Sequence, residues 1–251
     1  MHLRSLDQRE VRPHVSDLTT WDAAAGTRLW DVLPVVDVPA DDLARVAALL
    51  DTWGERRAAG ELAHVRGVAV ATDRLDDVAA LMGGNQVPAY VHVSGSAASR
   101  STLARCRELC AERDVAVMVD AADVDLRLVA GAEAGPLLVR RRPRHDEELA
   151  AAARDGLLVL CVDLSLPDDT VVDVIRSAGP ERVAAVFDRT DAWDTGDLPA
   201  LGGWELPASS GVAAATTRLR GAGFAEDAVD SVLRGTAERV LALTGRKLAV
   251  A

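Results

Sequence analysis

The sequence predicts an α/β fold, a (β/α)8 barrel of TIM type, and three observations carry that expectation. Apolar runs recur along the chain with helical patterns between them. Most of the runs are continuous rather than alternating, the pattern of strands buried on both faces of a parallel sheet. The length of 251 residues, 49% of them hydrophobic, suits one barrel domain spanning 1–251. A doubly wound open sheet is the alternative.

Seven runs read as strands: 32–38 (VLPVVDV), 65–72 (VRGVAVAT), 88–94 (PAYVHVS), 115–121 (VAVMVDA), 136–141 (PLLVRR), 157–164 (LLVLCVDL) and 182–188 (RVAAVFD). An eighth, 203–209 (GWELPAS), is weaker. Between the runs, apolar positions return at helical spacing. In 40–58, Leu43, Val46, Leu49 and Leu50 share a face and acids precede them. Residues 101–114 open with Ser101 as the expected cap, and 167–180 begin with Pro and acids and stop at Gly179. The stretch 211–245 reads as two helices broken at Gly221, Ala222 and Gly223. No linker, repeat or low-complexity segment divides the chain.

A formal net charge of −11 argues against a nucleic-acid or anionic-membrane partner, because neutralising phosphates needs clustered Lys and Arg. Neither a signal peptide nor a membrane span is legible, so a cytoplasmic location is expected. Cysteine usage agrees: Cys106 and Cys110 lie one turn apart on an expected helix, Cys161 lies in an apolar run, and buried thiols are expected rather than a redox pair.

In barrels of this kind the active site gathers at the C-terminal ends of the strands. That rule selects His92, Ser94, Asp120, Asp123, Arg140, Arg141, Asp163, Ser165, Asp188 and Asp191. Asp120, Asp123 and Asp188 are the candidate catalytic acids and bases. Arg140, Arg141 and Arg144, from the run RRRPR, are candidate grips for a carboxylate or phosphate, because guanidinium forks match such anions. Ser94 and His92 complete the candidate binding set. Bland alternatives stand beside these roles: strand-end aspartates also cap turns, Arg141 could pair with Asp123 or Asp120, and His92 in an apolar run could be a core residue. The five histidines, His2, His14, His64, His92 and His145, fall into no metal-binding spacing. The chain also lacks a P-loop, a GxGxxG turn and a GxSxG elbow, so neither metal nor cofactor is expected.

The order of several segments is similar to the renal or membrane dipeptidase family, zinc-dependent amidohydrolase-type barrels that cleave dipeptides. The segments are 23–39 (AAAGTRLWDVLPVVDVP), 142–160 (RPRHDEELAAAARDGLLVL), 171–196 (VVDVIRSAGPERVAAVFDRTDAWDTG) and 219–243 (LRGAGFAEDAVDSVLRGTAERVLAL). On this resemblance the chain is a somewhat trimmed, dipeptidase-like barrel with its metal ligands replaced. Asp123 falls where the family has one zinc histidine, Arg140 and Arg141 where it has another, and Ser94 in place of the bridging glutamate. At the N-terminus His2 matches a ligand histidine and Arg4 replaces an aspartate. Arg144 matches the arginine that grips the substrate carboxylate, and Asp188 the aspartate that handles the leaving-group proton.

The resemblance implies a small carboxylated ligand derived from an amino acid, and the family's habit implies a homodimer, with a hetero-complex as the other partner state. Three readings follow. The first is a metal-independent enzyme of lyase, isomerase or cyclase type. The second is a non-catalytic pseudoenzyme that binds or scaffolds a partner. The third is an active zinc dipeptidase with ligands elsewhere.

Overall fold

The computed structural model describes residues 14–15, 20–22, 28–31, 34–37, 43–59, 69–120, 124–125, 135–140, 158–163, 169–186 and 209–245. Its strands, in chain order, are β1 (His14–Val15), β2 (Thr20–Asp22), β3 (Arg28–Asp31), β4 (Pro34–Asp37), β5 (Ala69–Thr72), β6 (Tyr90–Val93), β7 (Ala116–Asp120), β8 (Leu137–Arg140), β9 (Leu158–Asp163) and β10 (Val183–Val186). Each of the seven expected runs contains one strand, β4 to β10. Residues 203–208 of the weaker eighth run lie outside the described residues, and Ser209 begins a helix.

Strands β4 to β10 pair in chain order, every ladder parallel. The order has no reversal, which a doubly wound sheet requires. The chain is therefore α/β with a consecutively ordered parallel sheet. β1 adds an antiparallel edge to β4, and β2 and β3 form a separate pair.

The described helices are α1 (Leu43–Ala58), α2 (Leu75–Gly83), α3 (Arg100–Ala111), α4 (Asp169–Ala178), α5 (Ser209–Gly221), α6 (Glu226–Asp230) and α7 (Thr236–Gly245). A π-helical turn, Ser231–Gly235, joins α6 to α7. Among the described residues no helix is long and apolar enough to cross a membrane.

α1 buries Val46, Leu49 and Leu50 as its periodicity dictates, with Leu43 packed beside them. α3 starts earlier than expected. A 3₁₀ turn, Gly95–Ala98, delivers the chain to Ser99 in extended conformation, so Ser99 is the N-cap residue and Ser101 falls inside the first turn. The Ser99 hydroxyl donates to Thr102 Oγ1 at 2.7 Å rather than to a backbone N–H. At the other end Asp114 takes a left-handed φ of 56°, a conformation aspartate tolerates, and Val115 N–H returns to Cys110 O at 2.9 Å. α4 stops where expected, at Gly179 with φ 90°.

Two apolar layers sandwich the sheet. One face, including Val91, Val93, Val117, Val119, Val139 and Leu160, packs under the helices. The other gathers Ala69, Tyr90, Ala116, Met118, Leu138, Val159, Cys161 and Ala184, with Ala237 and Val240 of α7 against them.

All three cysteines are buried free thiols. Burial pushes the Cys106 thiol up from 9.0 to about 11, and Cys110 is raised further by burial and by Cys106. A thiol pKa raised on folding means that the unfolded chain ionises first. Stability is thus full below about pH 9 and falls as pH climbs toward 11, by about 2–3 kcal/mol for Cys106 alone. Urea titrations should show this alkaline loss, and Cys106→Ala should lessen it, leaving the share of Cys110. An identical slope in that variant would assign the loss to other groups.

Candidate functional site

The parallel register decides which side chains share a face. His92 pairs with Met118, Asp120 with Arg140, and Arg140 with Cys161. Because side chains alternate along a strand, His92, Asp120 and Arg140 all fall on the face of the second apolar layer, at the C-terminal ends of β6, β7 and β8. Ser94 N–H extends the ladder by donating to Thr72 O at 3.1 Å, which brings Ser94 level with Asp120. Buried Tyr90, Met118, Leu138 and Cys161 lie on the same face below.

His92 Nε2 lies 3.5 Å from Asp120 Oδ2, with the two side chains only 15% and 20% exposed. The separation is just beyond an ordinary hydrogen bond, a common state for catalytic pairs before a ligand tightens them. Asp120 and Arg140 are direct cross-strand partners, so their backbones stand about 4.8 Å apart. One imidazole, one carboxylate and one guanidinium therefore converge on adjacent strands. The guanidinium can hold an anion in bidentate fashion, and the His–Asp pair can accept or return a proton beside it.

The structure brings together His92, Ser94, Asp120 and Arg140 from the sequence-derived set. Asp123, Arg141, Arg144, Ser165, Asp188 and Asp191, together with His2 and Arg4, lie outside the described residues. Asp163 closes β9 opposite Val186. Among the described residues no group of three His, Cys, Asp or Glu side chains is placed to hold a metal ion.

No family model matches the chain. No curated protein matches it either. The likeness to dipeptidases rests on the quoted sequence segments alone.

Two buried charged residues escaped the sequence reading. Asp77 is 3% exposed and accepts the Thr72 hydroxyl at 2.7 Å, tying the end of β5 to the first turn of α2. Its position three residues into a helix is the signal for an N-terminal role. Arg107 is 1% exposed and donates from Nη2 to Gly135 O at 2.9 Å, fixing α3 to the approach to β8. Its signal is its place four residues after Leu103, on the face that α3 buries. Both residues hold elements in place. A groove of about 260 Å³ between α1 and α2, walled by Leu43, Ala47, Leu50, Leu81 and Gln86, belongs to the outer helical layer.

Proposed function

We propose that the chain is a metal-independent enzyme on a dipeptidase-like (β/α)8 barrel, acting on a small carboxylated molecule derived from an amino acid. The convergence of His92, Asp120 and Arg140 on one face at adjacent strand ends carries this reading. The consecutive parallel order supports a barrel, as does α7, which touches both β7 and β10 on the inner face. Arg140 takes the substrate carboxylate. Asp120 orients His92 through Nε2, which leaves Nδ1 to exchange a proton next to that carboxylate. This is the equipment of a lyase, isomerase or cyclase. Buried free thiols fit a reducing compartment, the cytoplasm.

A second reading has a specific observation behind it. Asp120 and Arg140, as direct cross-strand partners, also suit a plain charge pair in a non-catalytic scaffold. The deciding experiment combines elemental analysis, after zinc loading and dialysis, with a screen of amino acids, N-acyl amino acids and dipeptides for binding and for new products by mass spectrometry. No retained zinc, with one carboxylate bound and converted, is the expected result. Stoichiometric zinc with dipeptide cleavage would restore the metallodipeptidase. Absence of both binding and conversion across the panel would favour the scaffold.

A further inference from the structure

The turn that leaves β6 places a serine where it can do more than bind. Ser94 N–H donates to Thr72 O at 3.1 Å, so Ser94 still holds a ladder position after Val93, the last residue of β6. The chain then turns at once. Gly95 takes a left-handed φ of 53°, and the 3₁₀ turn Gly95–Ala98 leads directly to the Ser99 cap of α3. A serine on a sharp strand-to-helix turn presents its hydroxyl at the C-terminal edge of the sheet, which is the placement of the nucleophile in acyl hydrolases. The stretch 92–96 (HVSGS) has neither glycine of the GxSxG signature, and the left-handed Gly95 makes the turn instead. Ser94 itself is half-buried.

A base and its carboxylate share the face of this serine. His92 and Ser94 are two residues apart on one strand, hence on one side of the sheet. Asp120 is level with Ser94 on β7, and His92 Nε2 lies 3.5 Å from Asp120 Oδ2. The imidazole therefore spans the two-residue step, about 6.6 Å along the strand, and reaches the level of the serine. We propose that Ser94 is a nucleophile for acyl transfer, with His92 as its general base and Asp120 balancing the imidazolium. The N–H groups of Gly95 and Ser96, which open the 3₁₀ turn and have no partner within it, receive the oxyanion. The inference rests on His92 and Asp120 as a proton-transfer pair and adds a covalent step to it. Its substrate is a small ester or thioester that also carries a carboxylate, because Arg140 stands two strands from Ser94, about 9.6 Å across the sheet. Ser94 Oγ bonds to the carbonyl carbon while its proton passes to His92. As the carbonyl re-forms, the bond to the leaving oxygen or sulfur breaks, and that atom takes the proton from His92. Water then attacks the acyl-serine, its proton passes through His92 to Ser94 Oγ, and the free acid leaves.

Incubating the full chain with an alkyl fluorophosphonate tests the assignment, since an activated serine forms an Oγ–P bond with this reagent and expels fluoride. A single phosphonyl adduct that peptide mapping places on Ser94 is expected, absent in Ser94→Ala and formed at least tenfold more slowly in His92→Gln. No adduct, an adduct on Ser96 or Ser99 instead, or an undiminished rate in His92→Gln would overturn the nucleophile. Mapping on the unaltered protein needs no variant, so the test stands even if Ser94→Ala fails to fold. One further measurement separates the covalent step from the proton-transfer reading beneath it. If a carboxylate found to be converted keeps its kcat in Ser94→Ala but loses it in His92→Gln, the covalent step is overturned and proton transfer stands. Loss of turnover in both variants supports the nucleophile.

Discussion

Replacing Arg107 with alanine is expected to lower the unfolding free energy by about 3–5 kcal/mol, from a core cavity together with a carbonyl left without its donor. Arg107 is 1% exposed, and its Nη2 satisfies the carbonyl of Gly135, two residues before β8. Alanine removes the donor and most of the side-chain volume together. Gly135 also leaves little room for adjustment, because a Cβ there would already sit 3.2 Å from the Ala111 Cβ. Arg107→Met fills most of the space and mainly orphans the carbonyl, so a smaller loss of about 1–3 kcal/mol is expected. Urea unfolding of both variants reads the difference. Equal losses would mean that the volume of the side chain contributes nothing and that its polar contacts account for its whole effect.

The parallel sheet was legible because its strands are buried on both faces. A run such as Val115, Ala116, Val117, Met118 and Val119, all buried, can hardly be anything but a central strand or a buried helix, and its brevity decides for the strand. The two-residue β1 and the β2–β3 pair were not legible, since such short segments leave no period to read. Capping was misplaced by two residues, from Ser99 to Ser101, because the 3₁₀ turn before α3 has no hydrophobic signature. The π turn was invisible for a related reason: its apolar residues Val232 and Leu233 continue the helical pattern. Of the site, the strand-end rule put His92 and Asp120 among the candidates, but that Asp120 would stand 3.5 Å from His92 depends on the register between β6 and β7. Asp77 and Arg107 were missed because a charged side chain becomes a buried one only when its partner arrives from elsewhere, Thr72 in one case and Gly135 in the other.

The largest functional effect is expected at His92. With a converted carboxylate in hand, His92→Gln should lower kcat by about 10²–10⁴-fold with little change in KM, the usual consequence of removing a general acid or base. Asp120→Asn should lose a comparable factor if Asp120 works by orienting the imidazole, and the double variant should then be hardly worse than either single one, because residues that act as a unit are not additive. Arg140→Gln is the contrasting case. A residue that grips the carboxylate equally in ground and transition states raises KM, here by about 10–100-fold from the loss of a charge-assisted pair, and leaves kcat nearly alone. The three variants thus separate two jobs on three neighbouring strands. Unchanged kcat in both His92→Gln and Asp120→Asn would remove the proton-transfer role. If Arg140→Gln then lowered stability without touching ligand binding, the Asp120–Arg140 neighbours would be a structural charge pair, and the scaffold reading would follow from the same register that first suggested a site.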